Sequence, residues 1–210
     1  MIEDVKVTGS VTGNNDVAGI VNKIDEDGKI ENVAFVGKID SVGNNSTVGG
    51  IAGSNYMGFV NRAYVDATIT AQNANASMLV PFVTYMLNSW KSGTKARVTN
   101  SVAKGVLDVK NTRNVGGIVA KTWPYGAVQD NVTYAKVIKG QEIFASNDVN
   151  DEDGGPHIKD LFGVVGYSSA EDGTGKDTKS PKKLKHLTKE EADKRVEGYK
   201  ITADTFVSEP

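Results

Sequence analysis

The sequence predicts a mainly β chain, a parallel β-helix or solenoid of Gly-rich repeats with one helical insertion and a C-terminal helix. Three observations predict it. Val48-Gly49-Gly50-Ile51-Ala52 returns as Val115-Gly116-Gly117-Ile118-Val119, and a looser copy stands at Val17-Ala18-Gly19-Ile20-Val21. Each copy leads through a turn into a second β-rich segment, residues 30–39, 60–69 or 128–138. Finally, Asn32-Val33-Ala34-Phe35-Val36-Gly37-Lys38-Ile39 matches Asn100-Ser101-Val102-Ala103-Lys104-Gly105-Val106-Leu107. Self-similarity on a period of roughly 20–50 residues marks a solenoid or array.

The chain opens in mid-coil, because residues 5–11 read like residues 102–109 and Ile2 already falls inside a repeat. The stretch from Val48 to Val115 is more than twice as long as that from Val17 to Val48. It leaves room for a degenerate copy near residues 78–83, with its second half at 98–109. A worn final copy is expected at Leu161-Phe162-Gly163-Val164-Val165-Gly166. The β segments are short and rich in Val and Ile, which suit a pleated, half-buried surface. Glycine falls where a strand bends or a neighbouring backbone comes close. Asn14-Asn15-Asp16, Asn44-Asn45-Ser46 and Asn111-Thr112-Arg113-Asn114 precede the Gly-Ile elements, and Asn tolerates turn conformations. One coil cannot bury its apolar side alone, but stacked coils bury one continuous strip.

Residues 77–92 break the glycine pattern. Leu79, Phe82, Val83, Met86 and Trp90 fall at helical spacing. The reading favours a short helix or a strand-then-helix insertion, with residues 78–83 as the lost strand of the repeat the alternative. Residues 140–160 form a polar, acidic loop with Asp148, Asp151, Glu152 and Asp153. The solenoid domain is thus residues 1–168, including the insertion 77–92 and the acidic loop. Residues 169–186 read as a basic, mobile linker. Residues 187–210 hold a C-terminal helix and the start of a following segment. Thr188-Lys189-Glu190-Glu191 is a capping box, and the helix is expected to reach Val196–Tyr199 with Gly198 near its end.

With 210 residues the chain can bury a substantial core, and 39% hydrophobic content suits a surface-rich solenoid. The net charge of -2 argues against nucleic acid as a partner. No segment reaches the roughly 18–20 apolar residues of a membrane span, and no signal peptide opens the chain. The absence of cysteine excludes disulfides, thiolate catalysis and Cys-ligated zinc.

Catalytic chemistry finds little foothold. His157 and His186 stand outside any His-Glu-x-x-His arrangement. Gly166-Tyr167-Ser168-Ser169-Ala170 lacks the second glycine of a nucleophile elbow. The acidic stretch 148–155 offers hard oxygen ligands, but Gly falls one place late for an EF-hand and Lys159 takes the bidentate Glu position. It stays open between a calcium site and a solvated loop. Stacking is one way to bring Asp66 near Asp108 as a carboxylate pair, although outward charges on a solenoid are ordinarily solvated. Catalytic, cofactor and metal residues are therefore assigned to none. The aromatics Tyr56, Phe59, Trp90, Trp123 and Tyr125 fall in turns or in the insertion, and Trp and Tyr are favoured binding anchors. Tyr85, Trp90, Trp123 and Tyr125 are the candidate partner-binding residues, with closure of the coil core the other reading.

Val-Gly-Gly-Ile followed by a turn and Asn-Val, as carried by residues 48–52, 115–119 and Asn131-Val132, resembles the GLUG repeat of bacterial surface proteins. The whole chain resembles the repeat-containing segment of streptococcal surface zinc metalloproteases, the immunoglobulin A protease family. That resemblance implies a large, secreted, cell-wall-attached metalloendopeptidase with zinc in a catalytic part elsewhere. It implies as partners the other domains of that protein and host immunoglobulin A. No zinc residue matches here, so the implied role is a non-catalytic scaffold and substrate-binding segment. The alternative is a stand-alone adhesin solenoid binding host protein or glycan.

Overall fold

The computed structural model describes residues 1–84, 96–122, 127–139, 157–159 and 187–204. The chain winds through about four turns of a parallel β-solenoid. The first coil holds β1 (Ile2–Gly13), β2 (Val17–Ala18) and β3 (Val21–Ile24). The second holds β4 (Lys29–Gly49) and β5 (Ala52–Tyr56). The third holds β6 (Phe59–Ser77) and β7 (Phe82–Thr84). The fourth holds β8 (Arg97–Thr99), β9 (Val102–Gly116) and β10 (Lys121–Thr122). Another coil starts with β11 (Ala127–Gln129), β12 (Val132–Thr133) and β13 (Lys136–Lys139), and β14 (His157–Lys159) pairs beyond β11. The long strands stack into one parallel sheet, and β3, β5, β7 and β10 into a second.

One column shows the period. Ile2, Ile30, Val60, Val98, Val128 and Ile158 are successive register partners. Their spacing along the chain is nearly constant, except for the longer step from Val60 to Val98. That step carries the extra chain between β7 and β8. The core follows from this register: Ile39, Ile69, Leu107 and Val137 lie level with one another and are fully buried. Residues 5–11 align with residues 101–107, one place earlier than the sequence suggested, because Val5 pairs with Val33, Val33 with Ala63, and Tyr64 with Val102.

The Gly-Ile elements stack as expected. Ile20 N–H donates to the Ile51 carbonyl at 3.2 Å, and Ile51 N–H to the Leu79 carbonyl at 3.0 Å. Ala76 and Ser77 pair with Val115 and Gly116, which brings Ile118 level with Leu79. Ile51 and Ile118 are fully buried, while Ile20, in the first coil, is partly covered. The degenerate copy is Ala76-Ser77-Met78-Leu79-Val80, slightly before its expected place. This corrects the helical reading for the described part of 77–92. Met78, Leu79 and Val80 are all buried in succession, whereas a surface helix buries only one stripe, and Phe82–Thr84 is a strand. Residues 85–92, the linker 169–186 and the expected copy at 161–166 lie outside the described residues, as does the acidic loop 140–160 apart from His157–Lys159, which is not loop but the strand β14 paired with β11.

Glycine is needed in this turn for space. A Cβ on Gly50 would stand 2.1 Å from the Met78 carbonyl oxygen of the next coil. Conformation governs a second corner, where Asp4, Asn32, Arg62, Asn100 and Asp130 occupy one ladder with φ of 54°, 52°, 52°, 52° and 55°. All but Arg62 are Asn or Asp, which accept this left-handed region more readily than other L-residues. Two buried asparagines tie coil to coil. Asn55 donates to the carbonyls of Gly58 at 3.0 Å and Arg97 at 3.2 Å, and accepts from Gly58 N–H at 2.8 Å. Asn131 donates to the Val98 carbonyl at 2.8 Å and accepts from Ser101 N–H at 3.0 Å. Each fills backbone valences that a turn would otherwise leave unpaired inside the wall.

The helix α1 (Lys189–Tyr199) starts at the expected capping box, with Thr188 Oγ1 accepting from Glu191 N–H at 3.2 Å and Glu191 accepting from Thr188 N–H at 2.8 Å. It ends at Lys200, which adopts the left-handed conformation at φ 52°. Gly198 lies within its last turn.

Candidate binding surfaces on the solenoid wall

Alternation along the long strands decides what the wall presents. Ile30, Val60 and Val98 point inward, so their neighbours point out. Lys29, Phe59 and Arg97 are register partners in one outward column, and Glu31, Asn61 and Thr99 in the next. These six side chains, with Asp27 at the rim, line an open groove of 460 Å³. The Arg97 guanidinium lies 5.6 Å from the centre of the Phe59 ring, within the range of a cation–π contact. Asn61 links the second column: its amide donates to Glu31 Oε1 at 3.0 Å, and its oxygen accepts from Thr99 Oγ1 at 3.0 Å and Asn100 Nδ2 at 2.8 Å. Two acids face two bases, so the groove is close to neutral. It offers hydrogen-bonding edges and one aromatic face, a composition for recognition.

Stacking does not bring the carboxylates of Asp66 and Asp108 together. Asp66 sits level with Lys104, and Asp108 with Thr70, further along the strand. Thr70 Oγ1 instead donates to Asp40 at 2.7 Å. Asp25 is held in its turn by an exposed 2.7 Å ion pair with Lys23. Among the described residues no group of three His, Cys, Asp or Glu is placed to hold a metal ion. Among them, too, no helix is long and apolar enough to cross a membrane.

Tyr85, Trp90, Trp123 and Tyr125 lie outside the described residues. Two that do not, Tyr56 and Phe59, are both half-buried under a cation, Lys23 lying 4.9 Å from the Tyr56 ring centre. The covalent chain nevertheless connects the candidates to the groove. Residues 85–95 run directly into Ala96 and Arg97, and residues 123–126 into Ala127, the next position in the Arg97 column.

A second outward face is covered. Ala34, Tyr64, Val102 and Val132 form a column outside the main core, yet all are buried. They lie under α1 and the turn after it, in contact with Leu187, Ala192, Val196, Tyr199 and Ile201. Polar contacts fix the helix across this face. Tyr134 OH donates to Asp193 at 2.5 Å, Tyr199 OH donates to the Asp130 carbonyl, and Arg195 pairs with the Asp130 carboxylate. The Asp193 carboxyl is held below its ordinary value by hydrogen bonds from Lys189 and then Tyr134. Burial, with Asp193 beside it, pushes the Tyr134 phenol up. Sequence reasoning found the helix but not its seat. The available signal was a run of apolar residues at outward strand positions.

No family model matches the chain, and no solved structure matches it. Two curated relatives from Streptococcus pneumoniae serotype 4 do. Zinc metalloprotease ZmpB is 50% identical over 212 residues, covering 100% of this chain and 11% of the relative. Zinc metalloprotease ZmpC is 33% identical over 150 residues, covering 68% of this chain and 8% of the relative. The chain thus spans about a tenth of the length of the relatives it matches. An end-to-end match at half identity to such a protein carries the conclusion that this chain belongs to the streptococcal zinc metalloproteases, as a segment of one.

Proposed function

We propose that this segment is a non-catalytic scaffold that holds the substrate of a secreted, cell-wall-attached zinc metalloendopeptidase, with host immunoglobulin A as that substrate. The observation that carries the reading is the groove built by Phe59, Arg97, Glu31 and Asn61 on a stacked wall, in a chain related end to end to a zinc metalloprotease. Zinc belongs to the catalytic part of the whole protein. A holding segment raises the effective concentration of a bound substrate near that part, to the order of mM for short flexible connections. It also orients the substrate, which removes part of the entropic barrier to reaction. The end-to-end relation to a protease favours this reading over a free-standing adhesin.

The test is a titration of the chain with immunoglobulin A, repeated for Phe59→Ala, Arg97→Ala, Trp90→Ala and Trp123→Ala, each with its melting temperature. Interface anchors lose about 2 kcal/mol or more on truncation, roughly thirtyfold in affinity. Lost affinity at unchanged melting temperature assigns a residue to the contact. Absence of measurable binding by the folded wild-type chain refutes immunoglobulin A as the partner of this segment.

A further inference from the structure

The stack of coils has one face whose chemistry is left open. In β1, Ile2, Val5, Val7 and Val11 point the same way as their partners Ile30, Val33, Phe35 and Ile39. The partners are buried to 2% exposure or less, while the β1 side chains, with Ile20 and Val21, are only partly covered. The strand pairs with β4 from end to end with no bulge, and among the described residues no strand lies on its other side. Natural edge strands are commonly blunted by Pro, by bulges or by being short, because a long regular edge is a template for another strand. β1 contains no proline and no bulge.

Gly9 adds an independent observation. It shares a register column with Gly37 and, through Ala67, with Gly105. At Gly37 a Cβ would stand 1.9 Å from the Gly9 carbonyl oxygen, and at Gly105 2.0 Å from the Ala67 carbonyl oxygen. In both, the preceding coil presses its backbone onto the glycine. Gly9 keeps the same kind of conformation, at φ +129°, with nothing within 4 Å of that point.

We propose that β1 seats a further parallel coil of the same polypeptide, supplied by the part of the protease outside these 210 residues. That coil lays its backbone over Gly9, aliphatic side chains over Val5, Val7 and Val11, and a left-handed corner over Asp4. One coil needs only as much chain as separates Ile2 from Ile30, and the relatives are far longer than this segment. A second copy of this chain is a poor occupant. Among the described residues its opposite end offers β12, β13 and β14 as short separate strands, with a register shift between Val137 and Lys139, and no continuous partner for β1.

The inference rests on membership of the larger protease and needs no immunoglobulin A, so its failure is separate from that of the proposed function. The test is amide hydrogen exchange on the isolated chain and on the whole protease. In the isolated chain, β1 amides are expected to exchange about tenfold or more faster than those of β4, as for a fraying edge. In the whole protease the two strands should be protected alike. There Val7→Glu should restore fast exchange in β1, while Thr8→Glu, on the outward face, should not. Fast exchange of β1 in the whole protease overturns the proposal. So does protection of β1 in the isolated chain, whether intrinsic or arising from concentration-dependent self-association.

Discussion

Gly50→Ala tests the stacking directly, because it adds one methyl group where two coils touch. The new Cβ would stand 2.1 Å from the Met78 carbonyl oxygen and 2.8 Å and 3.0 Å from the two methyls of Val65, against 3.4–4 Å for ordinary contact. Relief requires the coils to part by about 1.3 Å at this point. Two hydrogen bonds oppose that movement, from the N–H groups of Ile51 and Ala52 to the Leu79 carbonyl at 3.0 Å and 3.4 Å. Val65 is itself fully buried, so any movement of its methyls must be made within a packed core. Overpacking a filled core costs about 1–3 kcal/mol, and a clash with backbone belongs at the upper end. About 3 kcal/mol corresponds to a fall in melting temperature of roughly 6–12 °C for a chain of this size. Urea unfolding followed by circular dichroism measures the free energy, and a thermal melt the temperature. A Gly50→Ala chain within about 0.5 kcal/mol of wild type, the range of neutral surface changes, would falsify the close stacking of these turns.

Gly198→Ala should do the opposite in the same assay. Nothing lies within 4 Å of its Cβ position, and it sits inside α1, so it should gain about 0.5–1 kcal/mol. Ile118→Ala, at a fully buried stacked position, should cost about 2–5 kcal/mol, and a loss below about 1 kcal/mol would mean the site is not packed. Asp193 gives a pH test. Its folded carboxyl titrates below the ordinary 3.8, so its contribution is present above that pH and is lost as pH falls through the lower folded value. The protection factors of α1 amides, taken relative to their intrinsic exchange rates at each pH, should therefore fall on acidification below pH 3.8 in the wild type, and Asp193→Asn should remove that step. An unchanged step in the variant assigns it to another group.

The parts of this fold that show in the sequence are those where residue chemistry and geometry coincide. Val48-Gly49-Gly50-Ile51 and Val115-Gly116-Gly117-Ile118 are legible because both copies keep small residues before the buried Ile. The third copy is hidden because Ala76 and Ser77 replace Val and Gly while Leu79 supplies the buried volume. Packing asks for volume at a position, not for a letter, so the pattern of this copy is displaced and mimics a helix. The cap of α1 is local chemistry, contained in Thr188 to Glu191. Its docking on Ala34, Tyr64, Val102 and Val132 depends on register between distant coils, which no local pattern carries. The groove is an intermediate case. Alternation around Ile30, Val60 and Val98 shows that Lys29, Phe59 and Arg97 face outward, but their alignment from coil to coil emerges only once the strands are stacked.

A stack of coils is ordinarily a one-dimensional object in which each unit feels only its neighbours. The helix α1 changes that. Its segment touches Val132 and Tyr134 near its start and reaches Ala34, Tyr64 and Val102 through Ile201, so one rod is fastened across several layers. Layers that would peel one at a time are tied into a unit that must yield together. The tie also redirects the chain. Having travelled along the stack, the polypeptide turns back and leaves Ile201 beside the middle layers. Tension transmitted through this point therefore pulls sideways on a braced wall, loading many backbone hydrogen bonds at once, and does not unzip the last coil.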